Sequence, residues 1–278
     1  MKKFLKISLL LFASHFAFGQ TTDEVAPEKK NFGEKGTMFV FWGWNRAGFT
    51  KSDIHFKGDG YDFVLHDVVA HDRPSDLSWD YINPGKVSIP QFNFRLGYFI
   101  KDDLAIVGAT DHMKYVMDQD QTVDFTGKIS DPTYAAMVQN GQVNLKDEKF
   151  LTFEHTDGLN YVNVGIEKYK KISSSKNIDV LWSYGGGLGV LFPKSNVKLF
   201  GFERSDRFHV AGFGTDLRAN INGIFWKRWM ARVEGKIGYI NMPDVKTTLN
   251  NKPDKASHDF FFGQINFGIG YVFNLKKK

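Results

Sequence analysis

A strictly alternating stretch near the end of the chain, residues 259–273, constrains the fold more than any other sequence feature. From position 261 onward, every second residue is apolar or glycine: Phe261, Gly263, Ile265, Phe267, Ile269, Tyr271 and Phe273. The intervening row is smaller and more polar in its middle. A period of two over this length predicts a β-strand with one apolar and one polar face. Such a strand can cover a soluble core or face lipid, and the rest of the chain distinguishes the two.

The N-terminus predicts that the protein is exported. Residues 1–19 combine a basic start, an apolar run from Ile7 to Phe18 and small residues at the end, which is the pattern of a cleaved signal peptide. This run is shorter than the roughly 20 apolar residues that a spanning helix requires.

Three further regions follow the signal peptide. Residues 20–35 are polar and predict a loosely ordered periplasmic N-terminal arm. Residues 36–275 are expected to form one domain, and residues 276–278 are a short basic tail.

The composition narrows the class of protein. The chain has 27 Phe and 27 Gly but no Cys, so disulfides and cysteine-bound zinc are excluded. Its net charge of +5 comes partly from the lysine tail, and no nucleic-acid-binding module is present. An exported, strand-rich chain of this kind is either a soluble periplasmic or secreted β protein or an outer-membrane barrel.

Eight segments between residues 36 and 275 alternate in the same way. The predicted strands are 36–50, 91–100, 104–117, 158–169, 178–192, 207–225, 229–241 and 259–273. Connections after the second, fourth and sixth strands are short, and the others are long. Short periplasmic turns and long outer loops are typical of transmembrane β-barrels. A ten-stranded barrel is the alternative if residues 54–66 pair into the wall, but their interrupted apolar row favours a hairpin above the membrane.

The two faces of the predicted strands favour lipid over a soluble core. One row carries almost only aliphatic, aromatic and glycine residues. The opposite row carries the charged set Arg95, His112, Lys114, Glu167, Asp216, Arg218, Arg232, Glu234 and Lys236. A closed barrel with a polar lumen and an apolar outer face accommodates both rows. The sequence therefore predicts an all-β, antiparallel, up-and-down barrel of about eight strands, in contact with lipid in the cell outer membrane.

A barrel of eight strands is about wide enough for side chains to fill. We expect the charged set to form a paired network that plugs the lumen, because unpaired buried charges are strongly destabilising. A narrow, slightly cation-lined pore is the alternative. Aromatic residues near the strand ends predict interfacial girdles: Trp42, Trp44, Tyr98, Tyr115, Trp226, Trp229, Tyr239, Tyr271 and Phe273.

In architecture, residues 36–275 resemble the small up-and-down outer-membrane β-barrel proteins of Gram-negative bacteria, such as the OmpA-like and OmpW-like barrels. The most specific part is the C-terminal stretch, which resembles the assembly signal of that family: Asn266, Gly268, Tyr271 and Phe273. The resemblance implies insertion by the barrel-assembly machinery. The family usually ends on the aromatic residue, whereas residues 274–278 follow here.

Some outer-membrane barrels are lipid hydrolases with a His-x-Ser motif followed by Asn-Gly. The stretch His155-Thr156-Asp157-Gly158 is similar to this motif. The chemistry needs an imidazole that takes the proton of a hydroxyl nucleophile. No serine stands two residues after His155, so a junction between loop and strand is the simpler interpretation. His155 is the catalytic candidate only under the hydrolase alternative.

Metal and cofactor sites have no recognisable signature. Imidazole and carboxylate groups, which can bind metals, occur without a known ligand spacing at His55, His66, Asp67, His71, Asp72, Asp111 and His112. The glycine run at residues 185–189 lacks the Lys-Ser/Thr ending of a phosphate-binding loop, and we expect it to relieve crowding within a strand. We predict neither a metal nor a cofactor.

The sequence thus predicts a single-domain, monomeric and non-enzymatic outer-membrane protein. Its expected role is structural or binding, through the extracellular loops or as a subunit of an envelope complex with another protein. The alternatives are a passive pore or transport of small or apolar ligands through the barrel, and an outer-membrane lipid hydrolase.

Overall fold

Eight strands form a closed antiparallel ring in the computed structural model, which describes residues 30–74, 91–202, 207–249 and 253–274. The ring strands are β1 (Thr37–Phe49), β5 (Phe92–Lys101), β6 (Leu104–Met117), β10 (Leu151–Ser174), β11 (Ile178–Leu191), β13 (Gly212–Phe225), β14 (Trp229–Lys246) and β15 (Lys255–Asn274). Each pairs with the next, and β15 pairs with β1 along the whole of β1, which closes the ring. The predicted eight-stranded barrel is confirmed.

The ring is strongly staggered. Cα partners followed from Phe261 around the barrel return to β15 at Tyr271, ten residues away (271 minus 261), by way of Tyr239, Thr215, Leu188, Val164, Gly108, Leu96 and Val40. A stagger of this size requires strands that are tilted against the barrel axis. It also places Phe261 towards the outer end of the wall and Tyr271 towards the periplasmic end.

The long connections build further β-structure at the outer end of the ring. These elements, which we call the cap, are β2 (Ser52–Gly58), β3 (Tyr61–Val68), β4 (Ala70–Asp72), β7 (Thr122–Ile129), α1 (Pro132–Ala135), β8 (Val138–Gln139), β9 (Gln142–Asn144) and β12 (Asn196–Leu199). The outer end of β15 pairs with β2, and β3, β7, β9 and β8 follow in that order. No helix in the described part of the chain is long and apolar enough to cross a membrane.

The β2–β3 hairpin lies outside the ring of eight. On its far side from β15 it pairs with β7 of the cap. The ten-stranded alternative is therefore wrong, and the hairpin stands above the wall as the interrupted apolar row indicated.

The cap has an apolar core of its own. Phe56 and Phe63 of the hairpin are buried, and their rings stack with centroids 5.2 Å apart. Phe56 also contacts Phe153 of β10 at 5.9 Å, and Phe63 contacts Phe150 at 6.0 Å. Alternate hairpin residues bury against these rings while the intervening polar ones face water, which is the usual pattern of a half-buried sheet.

The outward row of the ring is predominantly apolar. Exposed side chains occur on every ring strand from β5 to β15, and they include Phe94, Leu96, Ile106, Val164, Ile166, Leu188, Leu217, Ile221, Val233, Ile237, Ile265 and Ile269. Soluble monomers rarely expose apolar patches larger than a few hundred Å². A band of this kind around a closed barrel is the surface that meets hydrocarbon.

Phe32 fills the periplasmic end of the lumen. Its ring centroid lies 5.6 Å from that of Phe39, 5.0 Å from Phe99 and 5.3 Å from Tyr169. Residues 30–35 of the predicted arm are therefore packed rather than loosely ordered, because an aromatic ring is buried there. The remainder of the arm, the predicted signal peptide and the tail at 276–278 lie outside the described residues.

Candidate functional site

The middle of the lumen is filled by charged side chains. Four cations and four carboxylates, each no more than 5% exposed, come together there: Arg95, Arg218, Arg232, Lys236, Asp111, Glu167, Asp216 and Glu234. Because the two signs are equal in number, the cluster is neutral at pH 7. Neutrality and close pairing are what make such burial tolerable.

Glu234 of β14 is the centre of this network. Its Oε1 accepts hydrogen bonds from Arg95 Nη2 at 2.7 Å and from Asn266 Nδ2 at 2.6 Å. Its Oε2 accepts one from Arg232 Nη2 at 2.8 Å, and Lys236 Nζ lies 3.7 Å from Oε1. Alternation along β14 places three charges of mixed sign on one inward row, so a single strand supplies much of the network.

Two other carboxylates connect the network across the lumen. Asp111 of β6 accepts from Arg95 Nη2 at 2.6 Å and from Lys236 Nζ at 2.5 Å. Glu167 of β10 accepts from Arg232 Nη2 at 2.8 Å. Charge-assisted hydrogen bonds thereby join β5, β6, β10 and β14 through the barrel interior.

Arg218 and Asp216 of β13 complete the network. Arg218 Nε donates to Asp216 Oδ1 at 2.7 Å, and Arg218 Nη2 donates to Asn163 Oδ1 at 2.9 Å. Asp216 Oδ2 also accepts from the Tyr161 hydroxyl at 3.0 Å. Arg218 Nη1 lies 3.7 Å from Glu167 Oε1, which connects this pair to the rest.

Glycines on the inward row of β11 leave room for the charges. A Cβ added to Gly187 would overlap Arg218 Nη2 and lie 3.0 Å from Asp216 Oδ2. A Cβ added to Gly185 would lie 2.9 Å from Glu167 Cγ. The glycine run thus avoids crowding, as the sequence indicated.

His112 and Lys114 are not part of the network, whereas the other seven predicted lumen charges are. His112 Nδ1 contacts Asn160 Oδ1 at 2.8 Å, and its ring stacks on Phe92 with centroids 5.5 Å apart. Asn160 and Phe92 lie on outward rows of their strands. His112 and Lys114, two residues apart on β6, share that outward row.

The predicted phase of β6 was therefore wrong. Asp111 faces the lumen, and Tyr115, predicted for an interfacial girdle, is fully buried in the cap core. Residues 110–114 carry polar side chains on both rows, so alternation does not select the inward face. The inward face of β6 is determined by the strand register, which the sequence alone does not show. The register pairs Asp111 with Asn93 and with Tyr161 on the neighbouring strands.

Apolar layers close the lumen on both sides of the network. The periplasmic layer contains Phe32, Phe39, Phe41, Phe99, Val107, Tyr169, Leu181, Ile224, Met230 and Val272. The outer layer is continuous with the cap core and contains Met113, Leu159, Leu191, Ile240, Phe260 and Phe262. Three stacked layers of side chains therefore fill the barrel along its height.

A chain of buried polar side chains connects the network to the cap. From Asp111 it runs through Asn93, Asn45 and Gln91 to Asp72 of β4. The Asn45–Asn93 and Gln91–Asn45 hydrogen bonds measure 2.7 and 2.6 Å, and Gln91 Nε2 donates to Asp72 Oδ1 at 2.9 Å. Burial raises the pKa of the Asp72 carboxyl. The chain fastens β4 to the barrel wall.

His155 lies in the outer apolar layer, beside a serine from another segment. Its Nδ1 is 2.8 Å from Ser195 Oγ, and both residues are buried. An imidazole paired with a hydroxyl is the arrangement that a hydrolase uses. Here the rings of Phe153, Tyr115 and His258 surround the imidazole within 6 Å. The contact is part of the packed interior.

Both histidines of this layer lie above the lipid-facing belt, and both are held neutral. Burial lowers the pKa of His258 to about 3. Burial lowers the pKa of His155 well below its usual range. Neither ring nitrogen of His258 has a hydrogen-bond partner among the described atoms.

The histidines of the first outer segment pair separately with carboxylates on the cap. His55 contacts Asp62 at 2.6 Å, His66 contacts Asp53 at 3.0 Å, and His71 contacts Asp118. The Asp67 N–H donates to Asp53 Oδ1 at 2.9 Å. Within the described ranges, no group of three or more His, Asp or Glu side chains is placed to hold a metal ion.

Residues of the predicted assembly signal occupy both faces of β15. Asn266 faces inward onto Glu234, and Gly268 lies against the backbone of Gly43 across the seam with β1. Tyr271 faces outward, with its ring centroid 5.3 Å from that of Trp229. Phe273 is paired with Met38 of β1. Their part in assembly stays a prediction.

No protein-family model and no curated protein matches this chain. Among solved structures, the outer membrane protein AlkL in lipid bilayers is similar, with 11% identity over 92% of this chain and 99% of AlkL at a TM-score of 0.39. The outer membrane protein OprG from Pseudomonas aeruginosa has 9% identity over 87% of this chain and 98% of OprG, at 0.41. The outer membrane protease OmpT from Escherichia coli has 9% identity over 89% of this chain and 99% of OmpT, at 0.33. Likeness at this level carries no argument about function.

The class of protein follows from the strand pairing and the side chains of this chain. The ring is closed, its outward row is apolar, and its lumen is charged. Its turns are short at one end and its connections long at the other, which orients the cap away from the periplasm. The chain is an eight-stranded outer-membrane β-barrel with the architecture of the small OmpA-like and OmpW-like barrels.

Proposed function

We propose that this protein is a non-conducting, non-enzymatic barrel that acts by binding a partner through its extracellular cap. The observation that carries the proposal is the contrast between lumen and cap. The lumen is filled in three layers, whereas the long connections form a folded structure with its own core. A membrane channel needs a water-filled lumen, and a folded surface outside the membrane is what a binding protein needs.

Transport through the barrel has less support. A passing ion or small ligand would have to separate pairs such as Arg95–Glu234 and Arg232–Glu167. Separation leaves each charge buried and unpaired, at a cost of roughly 3–5 kcal/mol per broken pair. The hydrolase alternative has less support as well, because His155 and Ser195 lie in the packed interior.

The surface that we propose for binding is the solvent face of the β2–β3 hairpin. It carries side chains of both signs, including Lys57 and Asp62, which lie 3.4 Å apart and are 61% and 55% exposed. The opposite face of the hairpin is buried in the cap core, so the backbone is held rigidly. A rigid polar sheet with mixed charge suits a protein partner at the cell surface or within the envelope.

Site-specific photo-crosslinking in intact cells tests this proposal. A photoreactive residue is placed at Lys57 or at Asp62 of the cap, with Lys170 at the periplasmic end of β10 as the control position. We expect a discrete protein adduct from each cap position and none of the same size from Lys170. Failure of both cap positions to form a protein adduct, in cells that display the folded barrel, would contradict the proposal.

A further inference from the structure

The lipid-facing wall contains an open groove across β13, β14, β15 and β1. Two adjoining concavities of about 770 and 800 Å³ form it. Gly48, Gly235 and Gly263 lie along its floor, and no heavy atom is within 4 Å of a Cβ built on any of them. Leu217 and Ile237 form part of its rim.

The strand register explains why the groove is continuous. Gly48 of β1 is the Cα partner of Gly263 of β15, and Gly235 of β14 is the partner of Ile265. The missing side chains are therefore on adjacent strands. On the other side of the barrel, Gly108 of β6 also faces outward into open space, and a Cβ added there would lie 4.0 Å from its nearest heavy atom, but this glycine stands alone.

Arg46 of β1 adjoins this groove. It lies on the lipid-facing row, two residues before Gly48 and therefore nearer the periplasm. Its Nη1 donates to the Asn45 carbonyl at 2.9 Å. Among the described residues, no carboxylate forms an ion pair with its guanidinium within 4.0 Å, and Asp72 of the cap interacts with it only electrostatically. A cation on the lipid face of a barrel is destabilising to a degree that depends on its depth. An anion from the lipid itself would remove that disadvantage.

We propose that the groove binds one phosphorylated glycolipid of the outer leaflet, of the lipid A class. One acyl chain lies over the three glycines, between the apolar rim residues. A phosphate accepts hydrogen bonds from Arg46, whose planar guanidinium matches a phosphate in two-pronged geometry. The flexible stem of Arg46 allows its charged end to reach the headgroup level from within the leaflet. The site does not involve the cap, so it stands independently of the function proposed above.

Charge and position together select this ligand over an uncharged lipid. Arg46 lies near the outer end of β1, and the long connections place that end in the outer leaflet. The cations of the lumen cannot serve instead, since Arg218 and Lys236 point inward and are paired with Asp216 and Asp111.

The test uses the full-length barrel in detergent and native mass spectrometry. Three probes are added in turn: bisphosphorylated lipid A, its dephosphorylated form, and phosphatidylglycerol. For the wild type we expect one retained lipid A molecule, preferred over the dephosphorylated form. Arg46→Gln is expected to lower that preference about tenfold or more, because a charge-assisted hydrogen bond contributes at least that factor. The double variant Gly235→Leu/Gly263→Leu is expected to lose binding of both forms.

Gly108→Leu is the matched control, since it fills an outward glycine away from the groove, and its retention should equal that of the wild type. Gly235→Ala/Gly263→Ala is a milder groove variant for the case in which the leucines prevent folding, which a heat-dependent gel shift reveals. An unchanged phosphate preference in Arg46→Gln would overturn the proposal. So would full retention in a folded groove variant, or equal retention of phosphatidylglycerol and lipid A by the wild type.

Discussion

At the scale of single residues, Glu234 determines whether the lumen network is neutral. Its carboxylate accepts hydrogen bonds from Arg95, Arg232 and Asn266 in the barrel interior. Removing its charge leaves the shape of the lumen nearly unchanged but leaves two guanidinium groups short of a counter-charge. A variant that lacks only this charge therefore separates the electrostatic contribution to stability from the contribution of packing.

Glu234→Gln is therefore expected to lower the free energy of unfolding by about 3–5 kcal/mol. Urea titration of the barrel in lipid bilayers, followed by tryptophan fluorescence, measures the loss. Lys176→Gln in an exposed periplasmic turn is the control, and we expect it to change the free energy by no more than about 0.5 kcal/mol. Equal stability of Glu234→Gln and the wild type would contradict the account of a tightly paired network.

Alanine substitutions at two glycines compare the packed lumen with the open space on the lipid-facing wall. Gly187→Ala inserts a methyl group that would overlap Arg218 Nη2, whereas Gly235→Ala inserts one into open space. We expect Gly187→Ala to destabilise the barrel by about 1–3 kcal/mol, because overpacking forces neighbours to move. Gly235→Ala should leave the free energy of unfolding unchanged or slightly raised. The same urea titration compares the two, and the reverse order would show that the network is loosely packed.

The buried histidines predict an acid-sensitive cap. The pKa of His258 is about 3 in the folded protein, and an unfolded histidine has a pKa near about 6.5. The unfolded chain thus binds more protons between these values, so stability is fully present above about pH 6.5 and is lost as the pH falls towards 3. The loss for this group reaches roughly 1.4 kcal/mol per pH unit.

Amide hydrogen exchange of the β2–β3 hairpin from pH 7 to pH 4 measures this dependence, after correction for intrinsic exchange. His258→Leu should reduce its slope, because the leucine takes up no proton. The same slope in His258→Leu and the wild type would show that other groups control the acid response.

At the scale of elements, alternation predicted the ring strands well and the phase of one strand badly. β15, β14, β13 and β11 have clean apolar rows, so their faces could be read from the sequence. In β6, polar residues at 110–114 occupy both rows, and only pairing with β5 and β10 decides that Asp111 points inward. The clean rows of the other strands allowed a paired charge network in the lumen to be predicted. The mixed rows of β6 did not show which of its residues belong to that network.

The cap was only partly predictable from the sequence. Residues 54–66 show enough alternation to indicate a hairpin. Its partners β7 and β9 are short, and their order in the sheet is set by contacts between distant segments, such as Phe63 with Phe150. Phe32 was missed because a single aromatic residue in a polar arm has no periodicity to reveal its burial.

Phe63→Ala tests whether the cap unfolds separately from the ring. The Phe63 ring contacts Phe56, Phe125 and Phe150, and its loss is expected to destabilise the cap by about 3–5 kcal/mol. We expect faster proteolytic cleavage within residues 119–150 and an unchanged gel shift of the ring. Val64→Ala, on the opposite face of β3, is the control. Joint unfolding of cap and ring in Phe63→Ala would show that they form one cooperative unit.

At the scale of the whole molecule, one chain combines three surfaces with different surroundings. The outward row of the ring meets lipid, the inward row is satisfied by its own charges and aromatic rings, and the cap meets water. We propose that this filled lumen stabilises the barrel and does not conduct. Binding at the cap and binding at the lipid-facing groove are the two activities that we propose.

Single-channel recording in planar bilayers tests the closed lumen most directly. The purified barrel is reconstituted with its fold verified by the gel shift, in 1 M KCl with a general porin as the positive control. The three filled layers predict no current steps above the background of the bare bilayer at any voltage that the bilayer withstands. Discrete steps that scale with salt concentration, from the folded wild-type protein, would contradict this account.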